Sequence, residues 1–232
     1  MSRLLLPLLL GTALCAAPAE IRQYATRVDI QGDGSGRATA TVTLAGDPSD
    51  TVEIPVGFKA RGFALTEGPK GLKLEPYGSA IRVVLPPERG AWTFTFTFTA
   101  LDTFIPEAVP EGEKARIPAT SRVVRHAFVQ TFEDPIAAYS VEAVLPPGYR
   151  FQAIKEALPK VRKTESEPRV RLGRTDGRQT AILRVTRLKQ GDSAAMTLEA
   201  TPSSRSILWL VTGLAIAGLY LFLFRDMVQS RH

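Results

Sequence analysis

The 232-residue sequence has one cysteine, two histidines and no asparagine, and each scarcity removes a class of reading. Cys15 lies in an apolar N-terminal run, so nothing after it can form a disulfide within the chain. Stability beyond that run has to come from packing alone. Without asparagine there is no N-x-S/T glycosylation acceptor. His126 and the final residue, His232, are too few for a His/Cys metal site of the usual kind. No Walker loop and no HExxH occurs. His126 sits in a strand-like run and reads as a packing or surface residue. A general base there would need a nucleophile and a carboxylate converging from elsewhere.

Other partial motifs fail on chemistry. The stretch from Gly32 to Gly36, GDGSG, has Asp33 where a G-x-S-x-G nucleophile elbow requires glycine, and it joins two strand-like segments rather than a strand and a helix. Asp33, Asp47, Asp50, Glu133 and Asp134 all fall in turn-like sequence, where carboxylates hydrogen-bond the local backbone rather than face each other across a cleft. No D-x-D-x-D-G calcium spacing is present. These absences predict a protein that is not an enzyme and carries neither cofactor nor metal, with a small-molecule ligand unexpected.

Charge is unevenly spread. Residues 20–149 hold 13 Lys/Arg against 16 Asp/Glu, whereas residues 150–189 hold 12 against 4. Within that basic stretch Arg162, Lys163, Arg169, Arg171, Arg174 and Arg178 are the candidates to face anionic lipid or an acidic partner. The alternative is a solvated basic face that keeps the body soluble. No reader motif or aromatic-basic interleaving points to nucleic acid. The 21 Arg against 8 Lys, with no Asn, indicate a GC-rich bacterial genome.

Both ends are apolar. Residues 1–19 have the layout of a secretory signal peptide: Arg3, an apolar run from Leu4 to Ala17, and Ala17-Pro18-Ala19 as an A-x-A cleavage site. Ile207–Phe224 is a run of 18 uncharged residues, about 27 Å as a helix, with no polar face. This predicts a transmembrane helix over 206–224 and a short cytoplasmic tail over 225–232. Gly213 and Ala217 form a small-xxx-small pair within it, a candidate helix-packing face.

The middle of the chain is strand-like throughout. GRATATVTLAG, SAIRVVLPP, RQTAILRVTRL and SAAMTLEATP alternate or carry β-branched runs, and DGSG, TDGR and KQGDS separate them as turns. In Trp92–Ala100, WTFTFTFTA, Trp92, Phe94, Phe96 and Phe98 share one face and four threonines the other. The aromatic face reads as core, and an exposed aromatic platform for sugars is the competing reading. FQAIKEALPK is the one place outside the membrane span where a turn or two of helix is expected, ended by Pro159.

These signals predict an all-β fold of one or two tandem antiparallel β-sandwich modules, immunoglobulin-like, plus the C-terminal membrane helix. Proline-rich 105–120 reads as a linker between a first module, 20–104, and a basic second module, 121–205. A faint repeat agrees with the split: VEIPVGFKARGFAL resembles VEAVLPPGYRFQAI, and Gly78–Ala100 resembles Gly177–Ala200. The functional expectation is a membrane-anchored binding or accessory subunit of a bacterial inner-membrane complex, its body in the periplasm and its partners other envelope proteins. The alternative is a carbohydrate- or envelope-polymer-binding module.

Overall fold

The computed structural model describes residues 20–46, 51–78, 80–86, 90–106, 121–131, 135–158, 170–203 and 205–229. The predicted signal peptide, most of the predicted linker, and Arg162, Lys163 and Arg169 lie outside them. Strands β1 (Glu20–Ile30), β2 (Gly36–Gly46), β3 (Thr51–Pro55), β4 (Lys59–Glu67), β5 (Lys73–Tyr77), β6 (Ala80–Val84), β7 (Gly90–Leu101) and β8 (Phe104–Pro106) come first. There follow β9 (Arg122–Val129), β10 (Ile136–Val144), β11 (Tyr149–Leu158), β12 (Val170–Thr175), β13 (Arg178–Leu188), β14 (Ser193–Pro202) and helix α1 (Arg205–Gln229).

The strands form a sandwich of three sheets. The largest runs β12-β13-β10-β1-β2-β7-β4, the second β11-β14-β9-β8, and the smallest β3-β6-β5. The all-β expectation holds, but two finer features depart from it. β1 pairs in parallel with β10, from Gln23 opposite Ala138 to Asp29 opposite Val144, so the large sheet is mixed rather than antiparallel. That pairing also joins the two predicted modules. The sheet crosses the expected boundary, and a single core cluster contains Tyr24 and Phe96 from one side and Tyr139 and Leu198 from the other. Period-2 alternation tells which face a strand buries but not which strand lies beside it.

β7 shows the alternation most clearly. Trp92, Phe94, Phe96 and Phe98 are buried, and the first ring contacts run down the strand: Phe94 on Phe96 at 6.2 Å and Phe96 on Phe98 at 5.9 Å. Removing each ring from water contributes about 1.5–3 kcal/mol. On the opposite face Thr43 pairs with Thr93 (3.0 Å) and Thr41 with Thr95 (3.2 Å), the cross-strand hydroxyl contacts expected of adjacent antiparallel strands.

The turns follow their residues. Asp176 and Gly177 take positive φ, 53° and 75°, in the tight turn between β12 and β13 that TDGR predicts. Asp33 accepts from the Ser35 N–H (2.9 Å) and from the Ser35 hydroxyl (2.8 Å), which folds GDGSG as a hairpin turn and holds the carboxyl below its ordinary range.

Two sequence expectations are corrected. FQAIKEAL is strand, part of β11, paired with β14 through two register shifts at Phe151/Ala153 and Ile154/Glu156. Its helix-favouring residues are overridden by a tertiary ladder that leaves Phe151 buried. The faint repeat does not extend to topology. β6 and β7 step from the smallest sheet to the largest, whereas β13 and β14 step from the largest to the second.

No described side chain of α1 enters this core. Its described side chains, at 210–220 and 222–224, are all exposed. Among the described residues no helix is long and apolar enough to cross a membrane. The span predicted for 206–224 rests on the full run of sequence instead.

Candidate interaction surfaces and the buried histidine

Three sheets meet at one aromatic knot. Tyr24 on β1 donates its hydroxyl to the Pro55 carbonyl (2.9 Å), tying the largest sheet to the smallest. Its ring packs edge-on against Tyr139 of β10 (5.5 Å, 89°) and Phe128 of β9 (5.6 Å, 79°). His126 on β9 turns into the same interior. Its Nε2 lies 2.7 Å from the Tyr139 hydroxyl, and Phe58 stacks obliquely on it at 4.5 Å. Burial pulls the His126 imidazole down to about 3, and it pushes the Tyr24 and Tyr139 hydroxyls up. The imidazole is therefore neutral at ordinary pH. Its Nδ1 faces the Gly57 backbone without closing a hydrogen bond. His126 is 3% exposed and packs into the core, where no contact with a carboxylate is seen among the described residues.

The backbone over this ring is tightly fitted. Gly57 has φ +74°, and a Cβ there would lie 2.6 Å from the His126 ring and 3.1 Å from the Phe128 side chain. Glycine is required at this position both by conformation and by space.

Among the described residues no group of three or more His, Cys, Asp or Glu side chains converges to hold a metal. Of the turn carboxylates singled out from sequence, Asp33 is described and is committed to Ser35. Asp47, Asp50, Glu133 and Asp134 lie outside the described residues.

The basic candidates part company. Arg171 and Arg174 are exposed on β12, at the edge of the largest sheet. Arg178 is engaged within the body and is partly buried. Its guanidinium reaches Asp29 (3.0 Å), the Leu145 carbonyl (2.7 Å) and the Val144 carbonyl (3.4 Å), and so clamps β13 to the ends of β1 and β10. Sequence gives no hint of that role, because Asp29 is 149 positions away.

The chain leaves the body for α1 beside the β10–β11 turn, where the Ser203 N–H donates to the Gly148 carbonyl. The same rim collects the ends of β1, β7, β10 and β12. Arg61, Arg150 and Arg174 stand exposed near it, with Asp33 and Asp176 in its turns. On α1, Gly213 and Ala217 are exposed one turn apart, and a Cβ on Gly213 would meet nothing within 4 Å.

Two depressions are formed by described residues. A shallow trough of about 390 Å³ on the outer face of the largest sheet has Thr39, Thr41, Ser140 and the Arg27–Glu142 pair (3.8 Å) along it. A larger groove of about 700 Å³ lies between Pro55–Ala60, Gly78 and one side of β9, where Ala127 and Val129 line it. Neither shows an open aromatic platform. The β7 rings are sealed, and the exposed Tyr77 ring is covered by the Arg82 guanidinium at 4.3 Å. The sugar-platform reading of WTFTFTFTA is thereby corrected.

No protein family and no curated protein matches the sequence. Among solved structures, an M1 zinc metallopeptidase from Deinococcus radiodurans is 11% identical with a TM-score of 0.44, over 79% of this chain and 42% of that one. Leukotriene A4 hydrolase from Saccharomyces cerevisiae is 10% identical with a TM-score of 0.43, over 79% and 29%. A candidate nutrient binding protein from Legionella pneumophila is 10% identical with a TM-score of 0.43, over 78% and 66%. This chain spans less than half the length of either enzyme, and likeness at this level assigns no role to any of its residues.

Proposed function

We propose that the protein is a membrane-tethered, extracytoplasmic β-sandwich that serves as a non-enzymatic binding or accessory subunit of a bacterial envelope membrane complex. One observation carries the reading. The described apolar side chains of α1 from Leu210 to Phe224 are between 54% and 67% exposed, whereas the body's own core is closed without them. A helix apolar all round has no place in water and none left in this core, so a bilayer is the solvent that suits it. The full run of 18 uncharged residues has the length to reach across.

In this arrangement α1 lies in the inner membrane, the sandwich stands in the periplasm, and residues 225–232 are cytoplasmic. Arg61, Arg150 and Arg174, near the rim from which α1 departs, then face the headgroup region, where cations are favoured. Crosslinking the protein in its own membranes and identifying what co-purifies tests the reading, with a stoichiometric envelope-protein partner as the expected result. Recovery of the chain alone, together with binding to isolated envelope polysaccharide, would sink it.

A further inference from the structure

Very little chain joins the body to α1. The Ser203 N–H donates to the Gly148 carbonyl, so the polypeptide is held to the β10–β11 turn up to that residue. α1 begins at Arg205. Consecutive Cα atoms lie about 3.8 Å apart, so at most about 7.6 Å of chain can separate Ser203 from Arg205. The uncharged run starts at Ile207, about 3 Å further along the helix. The polar layer on each side of a bilayer core is itself about 5–7 Å deep. A body on so short a tether has no stalk. With α1 in a bilayer, the β10–β11 turn stands at the headgroups.

The residues of that turn suit the polar layer. Pro147, Gly148 and Arg150 are exposed, and a Cβ on Gly148 would meet nothing within 4 Å. Tyr149 is half-buried, its ring edge-on to Phe104 at 5.0 Å. Pro146–Arg150 contains no acidic residue. A tyrosine packed at one end beside an arginine is what protein offers where it meets headgroups. The body also holds the turn firmly. The Leu145 N–H donates to the Gln179 carbonyl (2.9 Å), the Tyr149 N–H to the Pro146 carbonyl (3.3 Å) and the Phe151 N–H to Gln179 Oε1 (2.7 Å). At the other end of β14, ten residues or about 33 Å away, lies the Lys189–Asp192 turn.

We propose that the β10–β11 turn, Pro147 to Arg150, is a membrane-contact site seated in the phospholipid headgroups of the bilayer that α1 crosses, with Arg150 drawing anionic headgroups to it. The inference rests on the membrane reading of α1. It adds which part of the body meets the bilayer and what it meets there. Chain continuity selects the occupant, because the tether brings the turn to the lipid whatever else the body binds. The Lys189–Asp192 turn then points away from the membrane.

The test uses the full-length chain with Cys15→Ser, reconstituted in vesicles of phosphatidylcholine and phosphatidylglycerol. A fluorescent thiol probe is attached through Pro147→Cys in one variant and through Gln190→Cys, in the far turn, in another. Phosphatidylcholine spin-labelled on its choline quenches what reaches the headgroups. The probe replacing Pro147 is expected to lose most of its emission and the one replacing Gln190 little. At equal mole fraction, spin-labelled phosphatidylglycerol should quench the first probe more strongly still, by up to about fivefold, the worth of one arginine near the surface. Arg150→Gln should remove that difference. If Pro147→Cys melts early, a probe attached through Arg150→Cys reads the same depth. Alkaline extraction of the same vesicles separates the two readings. Where the chain is retained, equal quenching at both sites, or none at the first, would overturn the proposal and leave the membrane reading standing. Equal quenching by the two lipids would overturn the role given to Arg150. Release of the chain would overturn the membrane reading and this inference with it.

Discussion

The large apolar side chains of β7 and α1 meet opposite fates. In β7 the rings of Phe94 and Phe96 are wholly buried, whereas Phe222 and Phe224 in α1 are 61% and 56% exposed. The difference lies in how backbone geometry sorts side chains. Alternation along a strand sends every aromatic of WTFTFTFT to one face, so a single opposing layer hides them all and the threonines meet water. A helix distributes the residues of Ile207–Phe224 around its whole circumference, and no single layer could cover it. The same kind of side chain is thus closed into a core in one place and left exposed in the other.

The contrast can be broken by moving charge into each element. Phe96→Asp places a carboxylate among buried rings without a partner and should cost above about 4 kcal/mol, enough to unfold the body. Thr95→Asp on the other face should cost about 1 kcal/mol or less, as read by thermal melting. Leu214→Arg in α1 should leave the melting of the body unchanged. It should instead weaken membrane retention, since a cation at the centre of a spanning helix costs about 2.5–3.5 kcal/mol.

A smaller effect sharpens the picture of the core. The imidazole of His126 is depressed to about 3 in the folded protein against about 6.5 unfolded, so the unfolded chain binds the extra proton between those values. Stability is therefore lost as pH falls from about 6.5 toward 3, by up to about 1.4 kcal/mol per unit. Urea titrations across that range should show the slope, and His126→Phe should remove it. Tyr139→Phe leaves Nε2 without its 2.7 Å partner and should cost about 1–3 kcal/mol at neutral pH. Arg178→Met comes last, at about 1–2 kcal/mol. Its clamp on Asp29 and two carbonyls is partly solvated, and solvent weakens it.

What could be read from sequence was local. The faces of β7, the Asp176-Gly177 turn and the commitment of Asp33 to its own turn follow from residues within a few positions of one another. The parallel partnership of β1 with β10 joins segments about a hundred residues apart, and alternation fixes orientation without naming neighbours. β11 shows the reverse failure, in which a locally helical composition yields to the ladder offered by β14. For the candidate surfaces, composition found the basic stretch but could not see that Arg178 is occupied by Asp29 while Arg174 stands free on an edge strand.

The measurement that bears most directly on the contrast between body and helix is alkaline carbonate extraction of membranes holding the full-length chain, run beside a chain ending at Ser203. The account predicts that the full-length protein stays with the membrane pellet. The shortened one should be released and should melt within about 2 °C of the parent, because no described side chain of α1 enters the core. Release of the full-length chain at alkaline pH, or failure of the shortened chain to fold, would contradict it.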